Sequence, residues 1–552
     1  MAVFGDRAGR QITLQPALAR TSAFAGGPVR AAGKARFSVP DCRVPMSLTA
    51  TPPDTAKTEE ADQRLREKVD KLLAQTPDTS ESSAQLGGQT LAYRTIAGFV
   101  PVTAGGLDEK RGDPEAAIFT LAYLQKDAPP GVRPVCFAFN GGPGSASVIL
   151  NLGALGPKRA AIHDDGSMPA PPYRVVDNPQ SWFEHFDMVF IDPPHTGYSL
   201  TASAAARKKM LGVDGDIDAL AQCIRNWLTR HRRWSSPVYL AGESYGTTRG
   251  AGIADRLQDM GLALSGLILV SCAMDLQSLV FTPRNDLPYA LFLPAFASAA
   301  QYHGKLAGAL AASGETARQA AEEFVLLDYL PALHAGARLS ETRRRQIGQR
   351  LAELTGLPPA LIEQKNLRIS DETFFFELLR DEGLIVGRLE ARVTGPMALS
   401  RTRSWEFDPG IEALLAPYTM AALAYMSEDL GITSEAHYEM MSLEVNKEWN
   451  WCRGTERGNS FACTSTDLGR ALRRNPHLRV FVASGYYDLG TPYSASDWSL
   501  AQLDIPAEVA RRIEHHYYGA GHMMYTRETD LNKLKEELAV WLRGAPADSP
   551  AR

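Results

Sequence analysis

Five residues constrain this chain more than any others: Gly242-Glu243-Ser244-Tyr245-Gly246 follow directly on the apolar run Pro237–Ala241. A serine between two glycines, placed after a buried strand and before a helix-compatible stretch, has to take a tight, strained strand-to-helix turn. The glycines leave room for neighbouring backbone, and the turn lifts the serine Oγ above the sheet edge beside a helix N-terminus. Five residues of this kind occur by chance in many long chains. The strand before them makes them informative.

The rest of the chain offers a sheet to carry that turn. LAYRTIAGFV (91–100) and AAIFTLAYLQ (116–125) read as two antiparallel strands, and VCFAF (135–139), DMVFID (187–192) and LSGLILVS (264–271) as buried ones. Between Asp216 and Arg232 the apolar residues Ile217, Leu220, Ala221, Ile224, Trp227 and Leu228 recur at helical spacing. Alternation of buried strand, turn and amphipathic helix predicts a mostly parallel central sheet covered on both faces. From Ala273 to about Asn475 the pattern turns mainly helical. Sheet-type runs then return with LRVFVA (478–483) and IEHHYY (513–518), and a helix with Leu531, Leu534, Leu538, Trp541 and Leu542 on one face closes the chain. The expected organisation is a disordered leader over 1–60, an α/β core over 85–272, a helical cap inserted over 273–475, and the second part of the core over 476–545.

A serine hydroxyl needs an imidazole base, and the base needs a carboxylate to orient it. On a sheet of this kind the three follow in the order Ser, Asp or Glu, His. Asp488 follows the strand LRVFVA within Ser484-Gly485-Tyr486-Tyr487-Asp488, and His522 follows IEHHYY within Gly519-Ala520-Gly521-His522-Met523. Both stand at C-terminal strand ends, where open α/β sheets place their sites. His515 and His516 lie inside a strand and read as packing residues. An oxyanion hole needs backbone N–H donors: Tyr245, next to the serine, is one candidate source, and the loop Asn140-Gly141-Gly142-Pro143-Gly144 after VCFAF is the other.

FNGGPGSAS (139–147), NPQSW (178–182), IDPPHTGYS (191–199), AGESYG (241–246) and GAGHM (519–523) together resemble the signature blocks of the serine carboxypeptidase family, in the family's order. The resemblance implies an α/β-hydrolase fold with a helical cap and the triad Ser244, Asp488 and His522. It further implies oxyanion donors at Gly142 and Tyr245, and a site for the substrate's terminal carboxylate built from Asn140, Gly141 and a protonated Glu243. Three departures stand out. Ala138 replaces a tryptophan, Ser145 replaces a cysteine, and Ala154 stands where the family has a second glutamate. Without that partner, Glu243 is expected to hold its proton less tightly unless burial compensates. Exopeptidase activity would then fail at a lower pH than in relatives with both acids. Tyr198, Asp286-Leu287-Pro288-Tyr289 and Met523 are expected to shape the side-chain pocket.

With 58 basic and 63 acidic residues the chain is near charge balance, which gives no sign of a nucleic-acid partner. The expected partner is a peptide with a free C-terminus, and no stretch is apolar enough for a membrane span. The six cysteines include no CxxC and no metal-spaced set, so neither metal nor organic cofactor is expected. Cys452 and Cys463 are spaced to close a short loop, and free thiols are the alternative. The first thirty residues lack the apolar core of a secretory signal, which favours the cytoplasm, with the periplasm or secretion as alternatives; the leader itself can be a transit-like segment or precede a start at Met46. Oligomeric state is not legible. Two other functions compete with peptidase activity: an esterase or acyltransferase on the same scaffold, and a non-catalytic binding protein.

Overall fold

The structure, a computed structural model, describes residues 55–105, 111–128, 131–401, 406–454 and 461–544. A ten-stranded sheet forms the frame. From one edge its strands run Asp78–Leu86, Gln89–Thr103, Pro114–Gln125, Asp187–Ile191, Val135–Phe139, Val238–Glu243, Gly266–Val270, Arg479–Gly485 and Ile513–Tyr518; the short strand Leu200–Thr201 pairs with Pro114–Gln125. The first three pair antiparallel with their neighbours, and everything from Asp187–Ile191 onward is parallel. The serine's strand is therefore central, and its end points to the same side as the ends of the strands that precede Asp488 and His522.

VCFAF shows why these runs form strands buried on both faces. Cys136 and Ala138 join one apolar cluster, with Trp182, Trp541 and Tyr525, while Val135, Phe137 and Phe139 join the other. The second cluster is closed by the helices Val213–Arg230 and Tyr245–Asp259, whose buried faces include Ile217, Leu220, Ile224 and Ile253, Leu257. A third cluster, centred on Phe292, Phe296, Phe374 and Leu351, belongs to the cap. The fold is that of an α/β-hydrolase.

The segment boundaries differ from the expected ones in three places. A helix begins at Thr55, inside the stretch expected as leader, and seats Val69 beside Ala117 and Ala202. The edge strand Asp78–Leu86 precedes the expected start of the core; its mostly exposed, polar sequence DTSESSAQL hides it from a search for apolar alternation. The cap also ends early. Helix Ser465–Arg474 packs Leu468, Ala471 and Leu472 into the core, and Arg470 and Arg474 both pair with Asp255 on the helix after Ser244. Its amphipathic pattern matches the cap helices before it, so no break in the sequence marks the return. Two short strands, Leu384–Val386 and Thr394–Pro396, interrupt the otherwise helical insertion. Residues 1–54, which hold most of the expected leader, Cys42 and the alternative start Met46, lie outside the described residues.

Candidate active site

Strand Val238–Glu243 ends at Ser244, which takes φ 60° and ψ −129° before helix Tyr245–Asp259 begins. A non-glycine residue there carries strain of about 1–3 kcal/mol, so surrounding bonds have to hold it. Ser244 donates its N–H to the Val270 carbonyl at 2.9 Å, and its own carbonyl accepts from Thr247 N–H at 2.8 Å and Thr247 Oγ1 at 2.7 Å. Tyr245 opens the helix, so its N–H has no intrahelical acceptor. Gly142, in the loop after Val135–Phe139, lines one cavity together with Ser244. Its neighbour Gly141 must be a glycine: a Cβ there would lie 2.4 Å from the Tyr245 nitrogen and 2.6 Å from the Glu243 carbonyl oxygen. The two candidate donor loops are in contact.

Asp488 and His522 meet beside them. His522 Nδ1 lies 2.7 Å from Asp488 Oδ2. Thr491 Oγ1 donates to the same oxygen at 2.7 Å, and the N–H groups of Gly490 and Thr491 donate to Oδ1 at 2.7 and 2.9 Å. Burial pushes the Asp488 carboxyl up, but the charge and hydrogen bond of His522, with Thr491, outweigh it and hold the group below the usual range. Burial pulls His522 down, yet the Asp488 charge and hydrogen bond raise it overall, with Glu243 adding to the effect. An Asp488 carboxylate on Nδ1 leaves Nε2 as the proton acceptor.

The cap reaches into this pair. Leu389 O accepts the His522 backbone N–H at 2.7 Å, Glu390 Oε2 accepts that of Gly521 at 2.8 Å, and Arg388 O accepts that of Leu489 at 2.9 Å. Glu390 is itself held by Arg392 at 2.8 Å. A stretch of the insertion is thus hydrogen-bonded to both the aspartate loop and the histidine loop.

Asn140 and Glu243 sit under the cavity and bind each other: Asn140 Nδ2 donates to Glu243 Oε1 at 2.7 Å, and Leu150 N–H donates to Asn140 Oδ1 at 2.9 Å. The second oxygen of Glu243 accepts from Tyr525 OH at 2.5 Å. Ala154 is fully buried in the π-helical turn Asn151–Leu155, which Asn178 and Ser181 of the NPQSW block pin through the carbonyls of Ala154, Leu155 and Gly156. For Glu243 burial supplies the compensation that the expectation allowed for. Burial pushes its carboxyl up to about 7, against the opposing effects of His522 and of the Tyr525 and Asn140 hydrogen bonds.

Sequence reasoning also missed Arg249. It is wholly buried, pairs with Asp216 at 2.7 Å and donates to the Asn140 carbonyl at 2.6 Å, joining two helices to the loop that holds Gly141 and Gly142. Its one signal was position: four residues after Tyr245, it falls on the inner side of the helix.

The cavity over Ser244 and His522 holds about 110 Å³ and is walled by Ile411, Leu414, Leu415 and Tyr418 on one side, Met440 and Met441 on another, and Met523. Of the residues expected to shape it, Met523 does. Tyr198 packs edge-on against Phe119 and Tyr438 instead, and Asp286 pairs with Arg368 at 2.7 Å within the cap. Cys452 and Cys463 are free thiols. No helix among the described residues is long and apolar enough to cross a membrane.

The family model of serine carboxypeptidases matches residues 89–264. Serine carboxypeptidase-like 36 of Arabidopsis thaliana is 28% identical over 175 residues, 31% of this chain and 32% of that protein. The pheromone-processing carboxypeptidase KEX1 of Cryptococcus gattii is 30% identical over 159 residues, 27% of this chain and 22% of its own length. The chain thus spans about a third or less of the curated relatives it matches. Among solved structures, a KEX1 prohormone-processing carboxypeptidase from Saccharomyces cerevisiae superposes with a TM-score of 0.51 at 14% identity, over 82% of this chain and 91% of that one, a likeness of fold.

Proposed function

We propose that this serine carboxypeptidase-like chain is a serine hydrolase that removes the C-terminal residue of peptides through an acyl-enzyme on Ser244. The observation that carries the reading is the Asp488–His522 contact of 2.7 Å at the same cavity as the strained Ser244 turn. In this reading His522 Nε2 takes the Ser244 proton as Oγ attacks the scissile carbonyl carbon. The N–H groups of Gly142 and Tyr245 receive the negative charge that develops on the carbonyl oxygen. Collapse of the tetrahedral intermediate breaks the C–N bond, and the imidazolium of His522 gives its proton to the leaving amine. Water, deprotonated by His522, then releases the acyl group and restores the serine.

Glu243 supplies the selection for a free C-terminus. A carboxyl that burial holds protonated to about pH 7 donates to a carboxylate, and beside it Asn140 and the Gly141 backbone offer further donors. The apolar walls from Leu414, Leu415, Met440 and Met523 suit an apolar leaving residue.

Fluorophosphonate labelling, with Ser244→Ala as control, tests the nucleophile. Digestion of a peptide library with free and amidated C-termini, read by mass, tests the exopeptidase reading; equal cleavage of both forms would sink it. A second reading, ester hydrolysis or acyl transfer at the same serine, is favoured by one observation: Ala154 leaves Glu243 without a second acid.

A further inference from the structure

Helix Pro409–Ala424 turns one side to the catalytic cavity, and that side carries Ile411, Leu414, Leu415 and Tyr418, the i, i+3, i+4, i+7 stripe of a single helix face. Three of these are plain apolar wall. Tyr418 differs: it is 1% exposed, and its hydroxyl has no hydrogen-bond partner among the described residues. Buried phenols almost always find an acceptor, so one left over at the wall of an active site points to an acceptor that arrives with a ligand.

The place where this hydroxyl ends defines that ligand. A Cβ built on Gly153 would lie 3.1 Å from Tyr418 OH and 2.3 Å from the ring of Tyr525, so both phenols crowd over bare backbone in the turn Asn151–Leu155, next to Ala154. The hydroxyl of Tyr525 is occupied by Glu243. That of Tyr418 is not, although the Glu243 charge reaches it; burial first, and then Glu243, keep the Tyr418 phenol protonated well above its ordinary range. The charged and titratable groups that act on the two are Tyr525, His522 and Asp488 on Glu243, and Glu243 and Arg159 on Tyr418.

We propose that the hydroxyl of Tyr418 donates to the carboxylate of the substrate's leaving residue, standing beside Glu243 where Ala154 provides no acid. The proposal rests on the reading of this cavity as the subsite for a C-terminal residue, and it adds a binding group that comes from the cap. The ligand class is an apolar residue with a free carboxylate. Its side chain lies along Leu414 and Leu415, and its carboxylate between Asn140 and Gly141 below and Tyr418 above. A phenol is a donor at every working pH, so this contribution, unlike that of Glu243, does not titrate.

The test measures 3-phenylpropionate and its primary amide as inhibitors of fluorophosphonate labelling at pH 6, in the parent protein and in Tyr418→Phe. The expected result is that the parent prefers the carboxylate. Tyr418→Phe is expected to lose about tenfold of carboxylate affinity and less than about threefold for the amide, each read against the variant's own uninhibited labelling, with an unlowered Tm, because the hydroxyl has no partner to lose among the described residues. Equal losses for both inhibitors, or no loss for either, would overturn the proposal, as would a lowered Tm, which would reveal a structural partner. A parent protein without any preference for the carboxylate would overturn the C-terminal-subsite reading itself, a result visible before any variant is made.

Discussion

The phenol of Tyr525 donates to the Glu243 carboxyl at 2.5 Å, on the oxygen opposite the one that Asn140 holds. A donor of this kind favours the ionised form, so its loss lets Glu243 keep its proton to higher pH. In Tyr525→Phe the alkaline limb of kcat/KM for a free-acid peptide is expected to move up by about half to one pH unit. The amidated peptide should show no such movement. Joint movement of both profiles would mean that Glu243 does not read the C-terminus.

Peptide and ester substrates should differ in the shape of their pH profiles. An ester without a free carboxylate needs only neutral His522, so its kcat/KM rises through the histidine's titration. Because His522 is raised above 6.5, that midpoint lies above 6.5, and activity persists above it. A free-acid peptide also needs protonated Glu243, which is lost as pH climbs through about 7. The two titrations overlap and influence each other, which gives a narrow bell of reduced height. Profiles of kcat/KM against pH for one acyl group in both forms check this.

Ser244→Ala is expected to abolish fluorophosphonate labelling and lower turnover by about four orders of magnitude or more with the fold intact. Asp488→Asn should fall by about 10⁴, because it presents the wrong imidazole tautomer to the serine. A loss below tenfold at Asp488 would point to another carboxylate.

Gly141→Ala places a methyl 2.4 Å from the Tyr245 nitrogen and forces the two oxyanion loops apart. The expected loss is about 10²–10³ in kcat, the effect of removing one oxyanion donor, with KM little changed. Steady-state kinetics on an ester separate this from a binding defect.

Asp216→Ala would leave the wholly buried Arg249 without its partner, at a cost of about 3–5 kcal/mol in urea unfolding. The activity of the folded fraction should fall as well, since Arg249 also fixes the Asn140 carbonyl.

The meeting of Asp488 and His522 beside Ser244 was legible because each of the three follows a strand and stands in or beside a glycine-containing turn, a local signal that needs no knowledge of distant residues. Glu243 was legible as a position, but its proton affinity was not. Its Tyr525 partner lies 282 residues away, and burial decided the outcome. Separation along the chain also hid Tyr418 and the contact of Leu389 with His522, which exist only once the insertion and the core have folded together; the Arg249–Asp216 pair, inside the core, was hidden because it joins two different helices. The first helix and edge strand escaped for the opposite reason. They are polar and mostly exposed, so hydrophobic period, the main guide along the chain, is weak there.

The hydrogen bonds that Arg388, Leu389 and Glu390 accept from the loops of Asp488 and His522 make the insertion a poor module for exchange. A chimera that borrows the cap of a relative would import new pocket walls and would also have to place a backbone carbonyl where that of Leu389 accepts the His522 amide. Substrate range in such a scaffold is therefore free to drift along the apolar part of that helix face, Ile411, Leu414 and Leu415. The bend at Arg388–Glu390, between the two short strands that precede this helix, is tied to the chemistry and has to be inherited together with the histidine loop.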